Sequence, residues 1–269
     1  MKALNFINPI KNILNEYQCD GCGKFVKEAE MVIPFGPRKG ETVVAKIGCK
    51  CEDIKLAKQV IENNKKAKLD RLLKIFNEHS LINESLKTAS FKSYHPTTEE
   101  LGNAKRRLMI YAKEFDKKNS PNLLLVGNFG TGKSHLAVAV TKELIHKGFT
   151  CLFLSVPKLM TKIKQTYNGD TSFNEADILE LIESVDLFVL DDLGAEYTNL
   201  TKENDNWTQT KLFEILDSRS GKPTIFTTNL SSDELEEKVN ARNLSRIMDG
   251  TEVIKMFGPD YRMRGFLNE

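Results

Sequence analysis

One eight-residue stretch, Gly127 to Ser134, constrains the fold of this chain more than any other. It reads Gly-Asn-Phe-Gly-Thr-Gly-Lys-Ser and matches the pattern G-x-x-x-x-G-K-[ST]. An apolar strand precedes it at Leu123–Val126, and a helix predicted over 134–147 follows it. The glycines let consecutive backbone N–H groups turn inward around phosphate oxygens, and the positive end of the helix adds to the attraction. The stretch therefore predicts a phosphate-binding loop.

The residue types in this loop predict which groups of a nucleotide it holds. We expect Lys133 to reach the β- and γ-phosphates of ATP, and the hydroxyl of Ser134 to ligate Mg²⁺. The predicted contacts to ATP or ADP come from Gly127, Asn128, Phe129, Gly130, Thr131, Gly132, Lys133, Ser134 and His135.

A second apolar strand, Leu187–Leu190, ends in two carboxylates. We expect the first, Asp191, to hold the water shell of the Mg²⁺ ion. The second, Asp192, is our first choice for the group that polarises the water attacking the γ-phosphate, and Glu196 is the alternative.

A third apolar strand, Thr224–Thr228, ends at Asn229. On a strand beside the one that carries Asp191, this side chain is placed to hydrogen-bond the γ-phosphate or the attacking water. The alternative is that Asn229 is an ordinary cap of the helix that follows.

From residue 121 onward, short apolar strands alternate with helices. The strands are predicted at Leu123–Val126, Cys151–Val156, Leu187–Leu190, Thr224–Thr228 and Glu252–Met256. The helices are predicted at about 134–147, 157–167, 174–184, 207–219 and 232–248. Buried strands that alternate with helices are typical of a parallel sheet covered on both faces, so we predict an α/β fold with a five-stranded parallel sheet.

The cysteines indicate a metal site. Cys19 and Cys22 are separated by two residues, as in a zinc knuckle, and Cys49 and Cys51 would complete a tetrahedral Cys₄ site for structural Zn²⁺. Because a C-x-C pair is the less usual spacing, His79 is an alternative ligand, and free thiols are the alternative to a metal. No apolar run approaches the roughly 18 residues of a membrane span, and no signal peptide is evident, so we expect a cytoplasmic protein without membrane contact.

The motifs together resemble one group of proteins. Gly132 to Ala137, the strand end Asp191 to Gly194, and Ser245-Arg246-Ile247 are similar to motifs of the DnaC/DnaI/IstB group of AAA+ ATPases. The resemblance covers about residues 88–266 and includes the ending Gly-Pro-Asp-Tyr-Arg at 258–262. That group contains loaders of the replicative helicase and transposition helper ATPases.

The resemblance implies an ATPase that works as an assembly of subunits. Arg246 matches the arginine finger that one subunit offers to the ATP of its neighbour, and Arg262 matches the sensor-2 residue that contacts the subunit's own ATP. Arg242 and Arg264 are alternatives for these two roles.

The resemblance also implies a division of labour, with a zinc-binding α+β module at 1–52, a helical linker and helicase-docking segment at 53–87, and an AAA+ ATPase domain at 88–269. The charge agrees, since residues 1–120 carry 23 Lys and Arg against 15 Asp and Glu, while residues 121–269 carry 16 against 22. The implied function is ATP-dependent loading of a hexameric replicative DNA helicase onto single-stranded DNA.

Other functions compatible with the resemblance and with the motifs stay open. One is a transposition helper ATPase that acts on duplex DNA, and another is an adaptor that binds nucleotide without hydrolysing it. In the loader, ATP would act as a switch and promote self-association on the helicase. DNA contacts are predicted on the helix at 157–167, through Lys158, Lys162 and Lys164.

Overall fold

The computed structural model describes residues 10–78, 86–167, 169, 173–195 and 202–263, except the side chains of 72, 75–78 and 202–206. The chain divides into two compact units, Met1–Lys68 and Leu69–Glu269. The boundaries that we expected at 52 and 87 stay predictions. Within the described part of the chain, no helix has the length and apolar character needed to cross a bilayer.

The first unit contains a small antiparallel sheet. Its strands are β1 (Ile10–Gln18), β2 (Phe25–Val32) and β3 (Thr42–Ile47), with β2 in the centre. The helix α1 (Cys51–Glu78) follows and starts two residues before the helical linker that we expect at 53. We did not predict β1, because its register against β2 shifts twice, after Ile10 and after Ile13, and each shift breaks the polar–apolar alternation that marks a strand.

The second unit has the predicted five-stranded parallel sheet. Its strands are β4 (Asn122–Val126), β5 (Cys151–Ser155), β6 (Leu187–Leu193), β7 (Thr224–Thr228) and β8 (Thr251–Lys255), in the order β5-β6-β7-β4-β8. Every pair of neighbours is parallel. The α/β fold class is therefore confirmed.

Helices cover both faces of this sheet. They are α2 (Glu99–Glu114), α3 (Lys133–His146), α4 (Val156–Thr166), α5 (Glu175–Ser184), α6 (Lys202–Ser218), α7 (Ser232–Val239) and α8 (Ala241–Met248). On β4, Leu123 and Leu125 pack into the cluster that contains α2 and α3, while Leu124 packs into the cluster with α4 to α8. Alternate residues of one strand thus build two cores, as a doubly covered parallel sheet requires.

One predicted helix is wrong in the structure. The pattern indicated a single helix over 232–248, but α7 ends and α8 begins at Asn240. This residue has a φ of +68°, a left-handed conformation that asparagine tolerates better than most side chains. Its side-chain oxygen accepts a hydrogen bond from the backbone N–H of Asn243 at 2.9 Å, so the break is also the cap of α8.

Candidate phosphate-binding site and candidate metal centre

The predicted phosphate loop lies between β4 and α3, at the carboxyl edge of the sheet. Gly132 caps α3 with a φ of +89°. Lys133 is only 5% exposed, and its Nζ donates hydrogen bonds to the backbone oxygens of Gly127 at 2.7 Å and Asn128 at 2.6 Å. Burial lowers the pKa of Lys133 to about 8, against the opposing effect of Asp192 and Asp191. The ammonium group is therefore held inside the loop, next to the strand ends that carry the acids.

Two glycines of the loop are required by close packing. A Cβ on Gly127 would lie 2.0 Å from the backbone oxygen of Met256, which follows β8. A Cβ on Gly132 would lie 2.3 Å from the ring of Tyr94, and the positive φ of Gly132 already disfavours a side chain. The loop is thus held tightly between the neighbouring strand and the segment that precedes α2.

The segment before α2 braces the loop from outside. The hydroxyl of Tyr94 donates a 2.7 Å hydrogen bond to the backbone oxygen of Thr131. His135 turns toward the same segment, with its Nε2 3.0 Å from the oxygen of Ser90 and 3.2 Å from Oγ of Ser93. The described contacts of its side chain therefore position the segment, and a contact of His135 with nucleotide stays a prediction.

The predicted Mg²⁺ ligands lie together. Asp191, in the last half of β6, is 4% exposed and accepts a 2.7 Å hydrogen bond from the hydroxyl of Thr227 on β7. Burial and then the charge of Asp192 raise the pKa of Asp191 to about 6, and hydrogen bonds from Thr227 and from Ser134 oppose that rise. The Ser134 hydroxyl and the Asp191 carboxylate thus meet at one place.

The second carboxylate has an unusual backbone. Asp192 has a φ of +59° and lies where the ladder between β6 and β7 loses its register, between Leu190 and Leu193. The alternative residue, Glu196, lies outside the described residues.

Sequence reasoning did not single out Thr227 or Tyr94, since their partners are more than 35 residues away along the chain and no local pattern marks them.

Asn229 directly follows β7 and is half-buried. The structure rejects the alternative that it caps the next helix. The cap of α7 is Ser231, whose side chain accepts from the backbone N–H of Glu234 while the Glu234 carboxylate accepts from the Ser231 backbone N–H. The side chain of Asn229 is therefore not used as a helix cap.

Arg246 lies at the opposite edge of the sheet from the phosphate loop. It lines a cavity of about 690 Å³ together with Asn122 and Thr224, the first residues of β4 and β7. Its guanidinium is 3.1 Å from the carboxylate of Asp217 and stacks 4.2 Å above the ring of Phe213. An arginine at this edge cannot reach the phosphate loop of its own chain.

The rival of Arg246, Arg242, stacks on the same Phe213 ring at 3.8 Å. Both arginines lie on α8, four residues apart, so they share one helix face. Arg246 differs from Arg242 in its ion pair with Asp217.

The predicted sensor-2 residue lies on the same side as the phosphate loop. The backbone N–H of Tyr261 donates to the oxygen of Gly130 at 3.1 Å. Arg262 is exposed, its Nε lies 3.6 Å from the Asp260 carboxylate, and its charge contributes to the lowered pKa of Lys133. Arg264 lies outside the described residues.

The four N-terminal cysteines form a second cluster. The Sγ atoms of Cys19, Cys22, Cys49 and Cys51 all lie within 4.8 Å of one another. Cys49 Sγ is 3.4 Å from both Cys22 Sγ and Cys19 Sγ, far beyond the roughly 2.05 Å of a disulfide. Hydrogen bonding from Cys49 lowers the pKa of the Cys19 thiol to about 7.

The spacing of these sulfur atoms fits one zinc ion. Zinc–sulfur bonds of about 2.3 Å in a tetrahedron place the sulfurs roughly 3.8 Å apart, within the range observed here. The backbone arranges this geometry, because a turn closes from Gly23 N–H to the Cys19 oxygen and α1 begins at Cys51. The predicted Cys₄ set is thus complete without His79, which lies outside the described residues.

Comparison with known proteins agrees with this architecture. Residues 88–267 match the family model described as IstB-like ATP binding protein. The replicative helicase loader DnaC of Escherichia coli K12 is 31% identical over 179 residues, which are 65% of this chain and 69% of that protein. The DnaC of Buchnera aphidicola subsp. Baizongia pistaciae is 29% identical over 216 residues, 78% of this chain and 82% of that one.

A solved structure shows the same fold. The crystal structure of the DnaC helicase loader superimposes with a TM-score of 0.56 and 25% identity, over 65% of this chain and 99% of that one. The matched region carries the phosphate loop, the paired acids of β6 and the sheet of AAA+ proteins. On the family match and on the identity to DnaC, this chain belongs to the IstB-like ATP-binding proteins, the group that includes the DnaC helicase loaders.

Proposed function

We propose that this chain is an ATP-dependent loader that places a hexameric replicative DNA helicase on single-stranded DNA. The observation that carries the proposal is the meeting of Ser134 with the buried Asp191 beside Lys133, in a chain whose relatives are named replicative helicase loaders. The arrangement of the three residues supports binding of ATP with Mg²⁺. The names of the relatives support helicase loading as the process that ATP drives. ATP binding and hydrolysis would then act as a switch.

The nucleotide site has a residue for each task of phosphoryl transfer. Lys133, which now donates to two loop oxygens, would donate instead to the β- and γ-phosphates of ATP. Ser134 and Asp191 would hold Mg²⁺, which when bound neutralises charge on the phosphates. Asp192 would orient and deprotonate the attacking water, with Glu196 as the alternative, and Asn229 would hydrogen-bond the γ-phosphate or that water.

The place of Arg246 supports self-association. Because it lies at the amino edge of the sheet, its guanidinium would serve the ATP of a neighbouring copy, where it would stabilise the negative charge of the transition state. Arg262, on the side of the phosphate loop, would contact the ATP of its own chain. Hydrolysis would therefore need at least two copies side by side.

The first unit would bind zinc and dock on the helicase. The register of its sheet places Ile13 and Phe25 on the same face, where they are 53% and 71% exposed. The ion pair between Lys27 and Glu16 lies on that face as well. Exposed apolar side chains on one face are typical of a protein-binding surface. The many lysines of α1 would favour an acidic partner.

DNA binding would use α4. Leu159, Met160 and Ile163 are buried on its inner face. Lys158 and Lys162, four residues apart, share one flank of the helix away from that face, and Lys164 lies on the other flank. The ammonium group of Lys164 lies 4.8 Å from the ring of Trp207. Lysines at this spacing would meet the phosphates of a single strand.

The experiment that tests the proposal combines two measurements on the full chain. We expect Mg²⁺-dependent ATPase activity that single-stranded DNA stimulates, and ATP-dependent co-purification with the hexameric replicative helicase of the same host. Helicase that does not co-purify, together with ATPase stimulated by duplex DNA, would favour the transposition helper. Binding of ATP without hydrolysis, under both conditions, would favour the adaptor.

A further inference from the structure

The ladder between β6 and β7 contains a bulge at the two acids. Leu190 pairs with Phe226 and Leu193 pairs with Thr228, so two residues of β6 stand opposite one residue of β7. The two are Asp191 and Asp192, and the one is Thr227. A bulge of this kind interrupts regular backbone pairing and re-aims side chains, so the two strands lack a regular ladder at the acids.

The hydroxyl of Thr227 links the two strands at this bulge. It donates to Oδ1 of Asp191 at 2.7 Å and accepts from the backbone N–H of Asp192 at 2.9 Å. Thr227 is fully buried, so water does not compete for either bond. A hydroxyl has a single hydrogen, and here that hydrogen points to the Asp191 carboxylate. The oxygen of the same hydroxyl accepts from Asp192, so the two acids together set the orientation of the hydroxyl.

The neighbouring threonine serves as a comparison inside the same strand. The hydroxyl of Thr228 is equally buried, but it donates to the backbone oxygen of Leu193 at 2.9 Å and touches neither acid. Both hydroxyls bridge β7 to β6, and only one of them contacts the carboxylates. The contribution of strand bridging can therefore be separated from the contribution of holding the acids.

We propose that Thr227 is a positioning residue for ATP hydrolysis, whose hydroxyl holds Asp191 toward Ser134 and fixes the left-handed backbone that aims Asp192. This inference rests on the proposed ATPase function and names a residue that the sequence motifs do not mark. In this role Thr227 acts through the two acids, which its hydroxyl contacts directly. Its loss should therefore impair the chemical step and the use of Mg²⁺, and spare the grip of the loop on phosphate.

The test compares Thr227→Ala with Thr227→Ser, which both lose the methyl group and differ in the hydroxyl. We expect kcat of the alanine variant to fall roughly ten- to hundred-fold, as for loss of a hydrogen bond to a charged group, and kcat of the serine variant to stay within about three-fold of the parent. Thr228→Val, as control for a lost strand bridge, should also stay within about three-fold. KM for ATP should change little in all three.

A second readout does not depend on hydrolysis. Affinity for a fluorescent ADP analogue is measured in EDTA and across a Mg²⁺ titration. The alanine variant should match the parent in EDTA and need several-fold more Mg²⁺ for half-maximal enhancement.

Each outcome decides a separate question. Equal kcat in the alanine and serine variants, or an equal loss in Thr228→Val, would overturn the role of Thr227. Should Thr227→Ala fail to fold, Thr227→Ser against Thr227→Cys, a weaker donor, gives the same comparison. A parent without ATPase activity would reject the proposed function, and the Mg²⁺ titration would still decide whether Thr227 positions Asp191.

Discussion

The cysteine cluster and the phosphate site are built on opposite principles. The cluster lies in a unit where Val26 and Ala29 are the buried apolar residues among those described between 10 and 68, so the sulfur atoms meet without a large core around them. The phosphate site stands on a sheet with two clusters of buried side chains, and its polar groups are held against that background. A site of the first kind depends on its ligand for structure, whereas a site of the second kind exists before its ligand arrives.

The largest predicted effect comes from removing the metal ion from the cysteine cluster. Structural zinc contributes about 10–16 kcal/mol of apparent binding free energy, far more than the stability of a small sheet with a small core. We expect Cys19→Ser or a strong chelator to abolish zinc binding, one ion per chain by elemental analysis, and to unfold the first unit.

The control for this experiment is the second unit. Nucleotide affinity and basal ATPase activity should be retained, while co-purification with the helicase is lost. Cys151→Ser, a change in the buried strand β5, should leave the zinc content at one. Purified protein with a well-folded first unit and no metal would show that this unit does not depend on zinc for its structure.

The next largest effect is expected on ATPase activity, from a change of Arg246, which lies outside both sites. Arg246→Ala should lower ATPase activity by about 10³-fold or more, because a transition-state contact is lost, and leave nucleotide affinity unchanged. Mixing this variant with Lys133→Ala should restore activity, since the first supplies an intact phosphate loop and the second an intact arginine. A mixture that stays inactive under conditions where the parent is active would show that Arg246 does not act between copies.

The sequence predicted the parts of the phosphate site that are local. The loop, the acids of β6 and the five parallel strands are each encoded in one short stretch, since a strand or a glycine-rich turn shows its own periodicity or composition. The strand β1 and the break at Asn240 were missed, because two register shifts and one left-handed asparagine leave no periodic trace. The partners of Tyr94 and Thr227 were missed because only the tertiary fold brings them close.

The third prediction concerns the stability that the second unit loses because Asp191 is buried and charged before Mg²⁺ binds. Burial raises the pKa of Asp191 to about 6 in the folded chain, above the ordinary value of 3.8. A carboxyl with a raised pKa binds its proton more tightly when folded, so stability falls as pH rises from about 4 to 6 and stays reduced above that range. We therefore expect Asp191→Asn to stabilise the metal-free second unit by roughly 1–3 kcal/mol at pH 7.

The measurement is the free energy of unfolding by denaturant in EDTA, at pH 5 and pH 7. The gain of Asp191→Asn over the parent should be smaller at pH 5 than at pH 7. An equal gain at both values would show that the charge of Asp191 is not the cause. The cysteine cluster should behave in the opposite sense, because any change that removes a zinc ligand destabilises its unit.

The smallest predicted effect tests whether the loop is held in place by its brace. Tyr94 is buried, its hydroxyl donates to Thr131, and its ring fills the space beside Gly132. Tyr94→Phe keeps the ring and removes one neutral hydrogen bond, which should cost about 1 kcal/mol and weaken nucleotide affinity by a few-fold. Tyr111→Phe is the matched control, because that buried hydroxyl donates to the oxygen of Pro121, the residue before β4, rather than to the loop. We expect similar losses of unfolding free energy in the two variants and weaker nucleotide affinity in Tyr94→Phe alone. Equal nucleotide affinities in the two variants would mean that the loop keeps its shape without the hydrogen bond from Tyr94.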